Sequence, residues 1–122
     1  MNKRIIAIDP GMRKCGLAIS DETATIARPL KTVLRKELFK WIEKYIEEYQ
    51  INLIIVGQAC TVKGPYIPSA KLASRIRRNF KIDTLLVNED FSTRKALQLK
   101  SKKHSDDELA AAIILQGYLN DR

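Results

Sequence analysis

Ile5-Ile6-Ala7-Ile8-Asp9-Pro10-Gly11, followed almost at once by Cys15-Gly16-Leu17-Ala18-Ile19, is the stretch whose reading decides the fold. The first apolar run is a buried strand that delivers a carboxylate into a tight turn, and the second is a strand returning beside it. Residues 3–9 and 14–20 therefore read as an antiparallel pair around a turn from Asp9 to Arg13. An ionised carboxylate is costly to desolvate, so an Asp at a strand end is a turn cap, a phosphate neighbour or a metal ligand. The turn cap is the simplest of the three.

Working outward, a third short strand is expected near Thr25 to Ala27, with Pro29 ending the meander. From about Arg35 the apolar residues Leu38, Ile42, Tyr45, Ile46 and Tyr49 recur at helical spacing, with charged residues covering the other side. Leu53-Ile54-Ile55-Val56-Gly57 reads as a strand buried on both faces and placed centrally. A loop follows from Gln58 to Pro68, then a helix from Ser69 to Phe80 with Leu72, Ile76 and Phe80 on one face. Thr84-Leu85-Leu86-Val87 reads as another buried strand, ending at Asn88-Glu89-Asp90. Ser92 caps a short helix over Thr93 to Leu99. The last helix opens at Ser105-Asp106-Asp107-Glu108, a capping-box pattern, and runs to about Leu119. This order predicts an α/β fold of three layers. Its sheet is mixed and five-stranded, an antiparallel hairpin joined to parallel strands, with helices on its flanks.

At 122 residues and 45% apolar content, the chain is expected to be one domain spanning residues 1–122. The longest apolar run, Leu109 to Leu115, is too short to span a bilayer, and Met1-Asn2-Lys3-Arg4 lacks the pattern of a secretory signal. A cytoplasmic protein is expected. Cys15 and Cys60 show no metal-binding spacing and read as reduced thiols.

The net charge of +8 favours a polyanionic partner, nucleic acid before membrane. Most of the surplus lies between Lys71 and Lys103, where ten bases face three acids. Within it Arg75, Arg77, Arg78, Arg94 and Lys95 bracket Glu89 and read as a phosphate-tracking surface. A solvated helix face with a loop is the plainer alternative.

In open α/β sheets, ligands gather at the carboxyl ends of the strands, where Asp9, Gly57 and Glu89 all fall. The closing helix adds Asp106, Asp107 and Glu108, which a helix N-terminus accepts for its dipole alone. Asp107 shares a helical face with Ala110, Ala111 and Ile114, where the small alanines let that face lie close to the sheet, and is the choice among the three. Oxygen ligands without His or Cys select Mg²⁺ or Mn²⁺, ions suited to phosphodiester hydrolysis. His104, alone in a polar loop, reads as solvated.

Ile8-Asp9-Pro10-Gly11, Gly16-Leu17-Ala18-Ile19-Ser20-Asp21, Asn88-Glu89-Asp90-Phe91-Ser92-Thr93 and the run from Asp107 to Leu119 together resemble the YqgF/RuvX family. These are RNase H-like nucleases, named both as Holliday junction resolvases and as nucleases maturing pre-16S ribosomal RNA. The resemblance covers essentially the whole chain. It implies an RNase H-like fold and makes Asp9, Glu89 and Asp107 the catalytic, metal-binding acids, with Mg²⁺ or Mn²⁺ as cofactor. The chain departs from the family pattern in two places: Asp90 stands where Arg is usual, and Gln58-Ala59 replaces Leu-Pro. Asp90 reads as a turn cap before Ser92, with a fourth ligand as the other option.

The function expected is metal-dependent hydrolysis of phosphodiester bonds in structured RNA, at the 5′ end of pre-16S rRNA, with branched DNA as the alternative substrate. A nucleic-acid-binding protein without turnover is the competing class. One half of an actin-like ATPase is a third, disfavoured because those enzymes close two domains around a nucleotide. The oligomeric state stays open, a homodimer being one option.

Overall fold

The structure, a computed structural model, describes residues 4–58, 60–61, 64–65, 67–88 and 106–121. Strand β1 (Arg4–Asp9) pairs antiparallel with β2 (Lys14–Ser20), which pairs antiparallel with β3 (Ala27–Leu34). Helix α1 (Leu38–Tyr49) then returns the chain to β4 (Ile51–Gln58), parallel to β1. A small ribbon of β5 (Cys60–Thr61) and β6 (Gly64–Pro65) leads into α2 (Ile67–Phe80), and β7 (Asp83–Asn88) lies parallel to β4. Helix α3 (Asp106–Asp121) closes the chain. The five-stranded sheet has the order β3-β2-β1-β4-β7, so the expected mixed sheet and its central β4 are both present.

Side-chain alternation along the strands assigns the two faces. Ile6, Ile8, Cys15, Leu17, Ile19, Ile54 and Val56 point to one side, where Leu38, Ile42 and Tyr45 of α1 and Leu72, Ala73 and Ile76 of α2 cover them. Ile5, Ala7, Ala18 and Ile55 point to the other, against Ala111, Ala112, Ile114, Leu115 and Leu119 of α3. Each large side chain fully withdrawn from water in these clusters stabilises the fold by about 1.5–3 kcal/mol. The α3 side is built from smaller residues, so that helix lies closer to the sheet. Gln116 fastens it: its side-chain Nε2 donates to Thr25 O at 3.0 Å, and its Oε1 accepts from Ala27 N at 2.9 Å.

Three expectations need correction. Strand β3 runs from Ala27 to Leu34 and contains Pro29 rather than ending before it. It is the outermost strand on its side, and the register shifts between Leu17–Lys31 and Ala18–Pro29. An edge strand tolerates a missing N–H, and a bulge absorbs the ring. Strand β7 is less covered than its composition suggested, with Leu85 and Leu86 exposed, because it sits at the opposite end of the sheet. The segment from Gln58 to Pro68 is not all loop: β4 includes Gln58, the ribbon follows, and α2 begins at Ile67. The helix expected over Thr93 to Leu99 lies outside the described residues. Among the described residues no helix is long and apolar enough to cross a membrane.

The β2–β3 turn is organised by Asp21. Its Oδ1 accepts from Thr25 N at 2.7 Å and Ile26 N at 2.9 Å, and its Oδ2 from the Thr23 hydroxyl. These bonds, that from the Ile26 amide foremost, hold the carboxyl well below the usual carboxylate range. A depressed folded-state pKa contributes stability that is present above the unfolded value of 3.8 and lost as the pH falls below it. Asp21→Asn is therefore expected to flatten the acid limb of the stability curve, as read from urea unfolding at neutral pH and near pH 3. Equal acid sensitivity in variant and wild type would remove Asp21 from the account.

Candidate active site

Asp9 is the last residue of β1 and 5% exposed. Ile5 and Ala7 face α3, so by alternation Asp9 does as well. Strands β1, β4 and β7 run parallel, which brings Asp9, Gln58 and Asn88 to one edge of the sheet. The chain builds outward from β1 in both directions, β2 and β3 to one side, β4 and β7 to the other. That is the position at which open sheets form a crevice.

Directly across from Asp9 is Gly16. A Cβ at Gly16 would stand 1.8 Å from Asp107 O, 2.1 Å from Asp107 C and 2.7 Å from Glu108 N. The first turn of α3 thus rests on bare backbone, one cross-strand pair from Asp9, where facing Cα atoms are about 4.5–5.5 Å apart. The absence of a side chain at Gly16 is what brings Asp107 beside Asp9. Asp107 and Glu108 are half-buried. The amides and dipole of α3's N-terminus favour negative charge at the same place.

The turn after Asp9 is held from two sides. Gly11 is required by close approach, since a Cβ there would meet Lys14 O at 2.3 Å. Arg35, which follows β3, donates from Nη1 to Gly11 O at 3.0 Å and from its backbone N to Arg13 O at 2.7 Å. Under the turn lies Cys15, fully buried and free. Burial pushes its thiol pKa up, against the pull of a Gly11 backbone bond and the Arg35 guanidinium. Buried thiols of this kind serve packing rather than chemistry.

Arg35 is the residue that sequence reasoning missed. The sequence reading ends β3 near Ala27 and places Arg35 at the start of the following helix, whereas the longer strand carries it to the acid-bearing edge. Removing a hydrogen bond made by a charged group costs about 1.5–3 kcal/mol. Arg35→Ala is expected to lose about that much in thermal or urea unfolding. Arg35→Lys should recover only part, because an ammonium lacks the guanidinium fork.

Of the expected site residues, the structure brings Asp9 and Asp107 together. Glu89, Asp90, Arg94, Lys95 and His104 lie outside the described residues; β7, which Glu89 follows, ends at this same edge. Among the described residues, no group of three His, Cys, Asp or Glu side chains gathers as a metal site. Arg75, Arg77 and Arg78 are exposed on α2, across the sheet from Asp9 and α3. The expected rail beside the acids is therefore corrected for these three. Proximity to Glu89 along the chain did not carry over to the face on which α2 packs.

Residues 3–121 match the family described as "RuvX: Holliday junction resolvase". The chain is 32% identical to the "Putative pre-16S rRNA nuclease" of Sulfurihydrogenibium sp. (strain YO3AOP1), covering 96% of this chain and 90% of that protein. It is 34% identical to the protein of the same name from Roseiflexus sp. (strain RS-1), covering 98% and 95%. Among solved structures, its fold is similar to that of T. thermophilus RuvC in complex with a Holliday junction substrate. The TM-score is 0.62 at 12% identity, covering 98% of this chain and 95% of that one. The fowlpox virus Holliday junction resolvase follows with a TM-score of 0.58 at 14% identity, covering 97% and 98%. The fold is thus RNase H-like, as the resemblance implied, and the chain belongs to the RuvX family.

Proposed function

We propose that this chain is a nuclease that hydrolyses phosphodiester bonds, with Asp9, Glu89 and Asp107 as its catalytic acids. The observation that carries this reading is the seating of Asp107 on Gly16, opposite a buried Asp9 at the carboxyl edge of the sheet. Packing alone gives no reason to bury a carboxylate beside a second acid, since like charges disfavour each other's ionised form.

The two described acids offer hard oxygen donors, the chemistry that suits Mg²⁺ or Mn²⁺. Asp9, Asp107 and Glu89 would hold the ion. When bound, it supplies activation of water and stabilisation of the leaving oxygen. The chain's own part is to fix Asp9 through Gly11 and Arg35, to fix Asp107 through Gly16, and to present the α3 N-terminus to anionic oxygens.

The substrate class we favour is structured RNA, with 5′-end maturation of pre-16S rRNA in the cytoplasm as the role; its support is that relatives matched over 90% or more of their length are named pre-16S rRNA nucleases. The second reading is a branched DNA junction, favoured by the family's description and by the fold shared with RuvC. Purified protein with Mg²⁺ or Mn²⁺ on a pre-16S 5′-end RNA and on a four-way DNA junction tests both. Cleavage of the RNA is expected. Cleavage of the junction alone would transfer the assignment to DNA, and binding without cleavage of either would overturn the nuclease reading.

A further inference from the structure

Helix α2 carries an exposed basic surface on the face of the sheet opposite the acids. Leu72, Ala73 and Ile76 are buried against the sheet, while Lys71, Ser74, Arg75, Arg77, Arg78 and Asn79 are exposed. Residues 67–80 include no Asp or Glu. Lys71, Arg75 and Arg78 are spaced by four and three residues and so form one stripe. With Ala70 and Ser74 they line a shallow surface groove.

Like charges one turn apart repel, so this stripe is a cost to the isolated helix. None of its cations has an ion-pair partner among the described residues. Arg75 is held by an aromatic platform instead. Its guanidinium lies 5.3 Å from the Phe39 ring centroid, and Phe39 packs against Phe80 with centroids 5.5 Å apart. A fixed, uncompensated row of cations is complementary to a polyanion.

We infer that the outer face of α2 binds the backbone of a nucleic-acid duplex, remote from the acids, as an anchor for one arm of a structured substrate. The inference rests on the reading of the protein as a nucleic-acid enzyme. From Lys71 to Arg78 the helix rises about 10 Å, the axial length of duplex over which one strand carries about three phosphates. Among the described side chains of α2 the exposed ones are Lys, Ser, Arg and Asn, none of them a ring on which an unpaired base could stack, so the surface tracks backbone rather than bases. Among the described residues of α2 no large apolar side chain is exposed, which disfavours insertion into a membrane. Self-pairing through this face would set cation against cation. The sheet stands between this stripe and Asp9, so the stripe contributes to holding the substrate and not to cutting it.

The test is the salt dependence of binding to a labelled RNA duplex without divalent ion, for wild type and for Arg75→Gln/Arg77→Gln/Arg78→Gln. A second variant, Lys71→Gln/Arg77→Gln/Arg78→Gln, leaves Arg75 on Phe39 and guards against loss of fold. Each lost phosphate contact lowers the slope of log affinity against log salt by about 0.9, calibrated on duplex DNA. The slope is expected to fall by about 2 in both variants, with affinity down by tenfold or more. On a cleavable substrate KM should rise with kcat unchanged. Unchanged slope and affinity in a folded variant would overturn the inference and leave the nuclease reading intact. Loss of a dimer, seen by light scattering, with duplex binding unaltered would also overturn it, making α2 a contact between copies. Duplex binding that needs α2 in a protein that cleaves nothing would uphold the anchor while the nuclease reading falls.

Discussion

Asp9→Asn is expected to reduce divalent-ion-dependent cleavage at least a hundredfold while leaving the fold intact and nucleic-acid binding measurable. Mutating residues that merely support a metal ligand costs 10–100-fold in affinity or activity, and a residue acting as the ligand itself should cost no less. The amide is close to the carboxylate in shape, so packing against α3 is preserved; what changes is charge, and a neutral amide binds a hard cation more weakly. Because Asp9 is 5% exposed, removing its charge also removes a desolvation cost. Asp107→Asn and Glu89→Gln are expected to behave alike in cleavage. Wild-type turnover in a folded Asp9→Asn protein would end the case for this edge of the sheet as the active site.

Gly16→Ala should produce the largest structural effect of any single methyl group in the chain's described core. The added Cβ would stand 1.8 Å from Asp107 O, and the obstacle is backbone, so no rotamer change relieves it. Either α3 lifts away or β2 bends, and such overpacking costs about 1–3 kcal/mol and occasionally more. For a domain of this size that corresponds to roughly 4–12 °C in melting temperature. Lifting α3 also draws Asp107 from Asp9, and misplacement by about 1 Å can cost a hundredfold in rate. Stability and turnover should fall together. Gly117→Ala is the matching control: nothing lies within 4 Å of its Cβ position, and Ala in a helix interior is favoured over Gly by about 0.5–1 kcal/mol. If Gly16→Ala melts and cleaves as wild type does, the close seating of α3 on β2 is wrong.

Local pattern made much of the fold legible in the sequence. The paired strands around Asp9, the period of α1, the apolar run of β4 and the capped start of α3 are signals carried by a few neighbouring residues. The elements bearing them lie where those signals placed them. The same holds for Asp9 and Asp107 as candidates, because strand ends and helix starts are written in the chain and a three-layer sheet brings them to one edge.

What only the tertiary structure decided depends on which element lies beside which. Pro29 reads as a strand breaker until β3 is known to be an edge strand with a bulge, where its missing N–H is harmless. Leu85 and Leu86 read as core until β7 is known to end the sheet. Gly16 is an ordinary strand glycine until Asp107, far along the chain, is laid on it, and Arg35 has no role until β3 carries it to Gly11. The arginines of α2 neighbour Glu89 in sequence yet stand across the sheet from Asp9, because the face on which a crossover helix packs is set by its handed connection and by the apolar side it must bury. A sequence records what each residue prefers, and hydrophobic periodicity turns that into elements; contact between distant residues arises only when those elements close on one core.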